Sequence, residues 1–100
     1  MTLSIDYDAL TNEEAIRALL WADSEYRLAF PEVQVEMWEP LQEAWDRYLG
    51  ARVKWLKSGM ICTEKDVILM KQIRREICQA ADTQTLIQGL IKFARILLKF

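Results

Sequence analysis

Five carboxylates, Glu32, Glu36, Glu39, Glu43 and Asp46, follow one another at steps of four, three, four and three. On a helix this spacing sets them in one line about 21 Å long, at 1.5 Å per residue. Such a line can coordinate a metal, keep a helix face solvated, match a basic surface, or imitate the phosphates of a nucleic-acid strand. Helical bundles that hold metals between carboxylates pair a Glu with a His three residues on. This chain contains no histidine, so we expect neither a metal site nor a cofactor. The fit to nucleic acid is loose, with one carboxylate about every 5–6 Å against one phosphate about every 3.4 Å along a DNA strand. Only Glu43 has an i,i+4 basic neighbour, Arg47.

The missing histidine also removes the commonest general base and the usual partner of a nucleophilic Ser or Cys. Ser58 lies near Lys54 and Lys57, but no glycine turn or oxyanion-hole motif surrounds it, and Gly50, Gly59 and Gly89 stand alone. The chain is therefore not expected to be an enzyme. Cys62 and Cys78, sixteen positions apart, match neither zinc-ligand spacing nor a disulfide framework. Both read as reduced thiols, Cys78 in the core and Cys62 in a loop as the more reactive one.

A second pattern runs beside the acids. Trp38, Trp45 and Arg52 are seven apart, as are Leu41, Tyr48 and Trp55, and together they form a heptad-like seam. In a short chain such a ridge is first of all core, because each aromatic ring can bury roughly 150–250 Å². It is also the composition of an interface hot spot, since Trp, Tyr and Arg are enriched there. A homodimer satisfies both readings. Trp21 lies off the main stripe of its own helix and is a further contact candidate. The expected partner-binding residues are thus Trp21, Glu32, Glu36, Glu39, Glu43, Asp46, Arg52 and Trp55.

The formal net charge of −2 conceals a division: residues 1–50 carry 11 acids and 3 bases, residues 51–100 carry 10 bases and 4 acids. Opposite ends of this kind can hold two halves together or orient two chains antiparallel. Lys71, Arg74 and Arg75 form a basic cluster able to grip phosphates, although the pI of about 5.1 argues against nucleic-acid binding as the main task.

The elements that must position these residues are all helical. Thr11-Asn12-Glu13-Glu14 has capping-box form and predicts a first helix over 12–29, ended by Pro31, with residues 1–10 as a flexible arm. A second helix is expected from 32 to 57, kinked or broken at Pro40 and ended by Ser58-Gly59. Thr63 predicts the start of a third helix reaching Ala81, and Asp82 the start of a fourth with a wide apolar arc from Leu86 to Phe100.

The 100 residues therefore read as one all-α domain, a four- to five-helix up-and-down bundle with a Pro-kinked or Pro-broken second helix. No segment has the form of an export signal or reaches the roughly 18 apolar residues of a membrane span, so a cytoplasmic location is expected. The functional expectation is a small protein–protein interaction or regulatory module, homodimeric. The alternative is an acidic nucleic-acid mimic or nucleic-acid-associated regulator, acting through the Glu32–Asp46 stripe or the Lys71/Arg74/Arg75 cluster.

Overall fold

The computed structural model describes residues 4–100 and places four helices there, with no strand among the described residues. They are α1 (Tyr7–Leu28), α2 (Pro31–Ser58), α3 (Glu64–Cys78) and α4 (Thr83–Leu97).

Helix α1 begins five residues before the expected start. Its N-cap is Asp6, whose carboxylate accepts from the Ala9 N–H at 3.0 Å. Both Asp6 and Thr11 are good caps in sequence, but Thr11 is buried inside the helix and its hydroxyl donates to the Tyr7 carbonyl at 2.8 Å. Residues 7–10 are thus a helical turn and not a flexible arm, while residues 1–3 of that expected arm lie outside the described residues.

The residue before a proline is pushed to extended backbone, and Phe30 takes φ −64°, ψ 153°, breaking the chain between α1 and α2. Pro31 then occupies the first helical turn, where its missing N–H costs nothing. From there α2 runs 28 residues without a break at Pro40, so the five-helix alternative falls away. Gly59, at φ +62°, ends it by donating its N–H to the Trp55 carbonyl at 3.1 Å. Met60 follows at φ +52°, a left-handed conformation that side-chain-bearing residues adopt at a cost of roughly 1–2 kcal/mol.

That turn is held from across the molecule. Asp8, buried in the first turn of α1, accepts from the Cys62 N–H at 2.6 Å and the Ile61 N–H at 3.2 Å. Helix α3 starts next door with a reciprocal cap between Thr63 and Asp66. Burial pushes the Asp66 carboxyl up, but its bonds to the Lys99 ammonium and to Thr63 outweigh this and hold it below the usual carboxylate value. Helix α3 stops at Cys78, earlier than the expected Ala81, and Asp82 caps α4 by accepting from the Thr85 N–H at 2.8 Å.

Helix α1 packs on α2 and α3, and α4 packs on the same two, giving a body of 54 × 23 × 18 Å. Tyr48, Phe93, Leu19, Met37, Leu41 and Met70 are the largest fully enclosed side chains. A buried leucine of this kind contributes about 1.5–3 kcal/mol. Polar ties fix the helix pairs: the Tyr48 hydroxyl donates to Asn12 at 2.6 Å, Arg74 pairs with Glu14, and Lys92 pairs with Glu76 at 3.2 Å. Gly89 lets α4 approach α3, since a Cβ there would lie 2.8 Å from Ile77.

Candidate interaction surface

Helix α2 presents two apolar seams. The inner one, Met37, Leu41, Ala44, Tyr48, Ala51 and Trp55, repeats at four and three and is buried against the other helices. The outer one starts at Val35 and continues through Trp38, Gln42, Trp45, Leu49, Arg52 and Leu56, at alternating steps of three and four. Four of its five apolar members remain in water: Val35 is 79% exposed, Leu56 76%, Trp38 51% and Leu49 50%, while Trp45 is half-buried. At 100° per residue the two seams lie about 110° apart, and the bundle covers the outer one only in part, at Gln42 and Trp45.

The aromatic ridge is therefore divided between them. Leu41, Tyr48 and Trp55 belong inside, and Trp38, Trp45 and Arg52 outside. Trp55, expected in the partner surface, is 5% exposed and packs edge-on against Tyr48 and Phe100, at 6.4 and 5.3 Å between ring centroids. It is a core residue, and its buried indole N–H has no acceptor among the described residues. Trp45 is half-buried beside Tyr48, and Trp38 leans on Tyr26 of α1 at 6.0 Å.

Arg52 stays exposed and has no ion pair among the described residues. Burial pushes the Tyr48 phenol up, and the charge of nearby Arg52 opposes that shift. All five acids of the expected stripe are exposed, and only Glu43 is paired, with Arg47 at 3.2 Å. Glu39, Glu43 and Asp46 share a groove of about 630 Å³ with Trp38 and with Leu90 and Arg95 of α4. No group of three or more Cys, Asp or Glu side chains among the described residues is gathered closely enough to hold a metal ion.

Trp21 is 45% exposed but stands apart from this surface, beside Arg74 and Cys78 of α3. The basic cluster is divided too: Lys71 and Arg75 are exposed, while Arg74 is engaged with Glu14. Cys62 lies in the loop between α2 and α3 as expected, and Cys78 ends α3, but their exposures are the reverse of those expected. Cys62 is buried, and burial and the neighbouring Asp8 and Asp66 push its thiol up to about 12, against the smaller opposing effect of Thr11; Cys78 is partly exposed. No helix among the described residues is long and apolar enough to cross a membrane.

The seam residues that sequence reasoning missed are Val35, Gln42, Leu49 and Leu56. Their signal is a second heptad one position off the Leu41/Tyr48/Trp55 row, hidden because that row and the Trp38/Trp45/Arg52 row read together as one seam on one face. No protein-family model matches the chain, and no curated protein or solved structure is detectably similar to it.

Proposed function

We propose that this chain is a small helical protein–protein interaction module of regulatory type, working in the cytoplasm, that pairs with a second copy of itself through the outer face of α2. The observation carrying this reading is the seam from Val35 to Leu56, a heptad pattern whose Val35, Trp38, Leu49 and Leu56 the bundle leaves exposed and whose Trp45 it half-covers. In the same reading the four helices form an up-and-down bundle, and a bend at Pro40 turns the outer face toward its partner.

Each of Val35, Leu49 and Leu56 would contribute at most about 1.5–3 kcal/mol on becoming buried, on both chains. The test is light scattering on the protein eluting from a sizing column. Wild type is expected at twice the chain mass of 11.8 kDa, and Leu49→Glu at the chain mass itself. Wild type at the chain mass throughout the micromolar range would end this reading.

One observation favours the second reading, nucleic-acid mimicry: Glu32, Glu36, Glu39 and Asp46 have no ion pair among the described residues. Salt-sensitive binding to a basic nucleic-acid-binding protein, lost when Glu36, Glu39 and Glu43 become Gln, would support it.

A further inference from the structure

The outer seam has only two polar members, Gln42 and Arg52, and its helix is divided in charge. From Pro31 to Asp46 it carries five acids and no base; from Arg47 to Ser58 it carries four bases and no acid. Two copies laid parallel would set acid beside acid and stack Arg52 on its own copy inside the seam. Laid antiparallel, each acidic half meets a basic half, and the helix dipoles oppose as well.

The polar positions also select a register. In an antiparallel pair, positions of the Val35/Gln42/Leu49/Leu56 row face positions of the Trp38/Trp45/Arg52 row. Three alignments separated by one heptad give a long overlap, and they differ in what Arg52 meets. In one it faces Val35 and in another Leu49, leaving a guanidinium against an apolar side chain. In the middle alignment it faces Gln42, Trp38 faces Leu56, and Trp45 faces Leu49. There Glu39 and Asp46 of the second copy lie one turn to either side of Arg52, supplying the carboxylates it lacks in the single chain.

We infer that the α2 helices of two copies pair antiparallel about a two-fold axis at Arg47, with Gln42 and Arg52 as the polar layer that fixes the register. This rests on the homodimer reading above and adds the partner's direction and alignment. Of the possible occupants of the face, a second copy is the one whose charges complement the seam along its whole length.

The experiment is pulsed electron–electron resonance with spin labels on an encoded ketone residue at Glu36 or at Lys57, both exposed, leaving Cys62 and Cys78 untouched. At 1.5 Å per residue the backbone positions lie about 33 Å apart along the axis for position 36 and about 30 Å for position 57. Near-equal distances close to these are the expected result. About 22 Å for position 36 with about 40 Å for position 57, or about 43 Å with about 20 Å, would mean the alignment shifted by one heptad one way or the other, and two short distances would mean a parallel pair; any of these overturns the register and leaves the dimer. A sample with no dipolar coupling between chains overturns both. As a second reading, Arg52→Glu is expected to weaken dimerisation at least about tenfold. Adding Glu39→Arg and Asp46→Arg is expected to restore it, whereas no rescue would overturn the register.

Discussion

Replacing Asp8 by Asn alters few atoms and tests whether the turn after α2 is held from α1. The two carboxylate oxygens of Asp8 accept separate backbone N–H groups, from Cys62 at 2.6 Å and Ile61 at 3.2 Å. An asparagine has one acceptor oxygen, so it can keep the shorter bond while its NH₂ faces the Ile61 N–H, donor against donor. Hydrogen bonds to a charged group are worth about 1.5–3 kcal/mol, and an unpaired donor costs about 1–3 kcal/mol when buried, toward the low end for the part-buried Ile61 N–H. Asp8→Asn should therefore lose about 2 kcal/mol, and Asp8→Ala, which strands both donors, about 3–4 kcal/mol. For a domain of this size 1 kcal/mol shifts Tm by about 4–8 °C, so the asparagine variant should melt about 8–16 °C lower. Urea unfolding followed by far-UV circular dichroism gives both values at unchanged m. An asparagine variant within about 0.5 kcal/mol of wild type would refute the tether, since a surface substitution gives no more than that.

Three further outcomes follow from the packing. Gly89→Ala should destabilise by about 1–2 kcal/mol, because overpacking against Ile77 exceeds the gain in helix propensity, whereas Gly50→Ala, with open space around its new Cβ, should stabilise by up to about 1 kcal/mol; chemical denaturation of the pair measures both. Cys78 should react with a maleimide at neutral pH well before Cys62, whose buried thiol is pushed up to about 12; mass spectrometry of the two labelled peptides over time reads the order. Because the Asp66 carboxyl is held below its unfolded value of about 3.9, its contribution is complete above that pH and is lost as pH falls through the folded value. The stability advantage of wild type over Asp66→Asn should accordingly shrink below about pH 4, as shown by urea midpoints measured from pH 6 to pH 3.

Much of the helical frame was legible because its signals are local. Pro31, Gly59, Thr63 and Asp82 act within one turn of themselves, and each stands where an element begins or ends. The start of α1 was not legible, because Asp6 and Thr11 are equally good caps locally. Asp8 and the turn it holds are more than fifty positions apart in sequence, and nothing local reports that contact. The same limit explains the tryptophans and cysteines. Heptad spacing relates Trp38 to Trp45 and Leu41 to Tyr48, but which row faces inward depends on where α1 and α4 lie, so spacing alone reads Trp55 into the surface that Trp38 occupies. Cys62 follows a glycine turn and is the loop residue it reads as, yet the Asp8 tether draws that loop onto the core and buries the thiol.

The central claim is that the outer face of α2 is covered by a second copy, and isotope-filtered NMR on a mixture of ¹³C-labelled and unlabelled chains tests it most directly. The account predicts contacts between the methyl groups of Leu49 and Leu56 on the labelled chain and the rings of Trp45 and Trp38 on the unlabelled one. Inter-chain contacts confined to other surfaces, such as Trp21 or Phe30, or no inter-chain contact at millimolar protein, would contradict it.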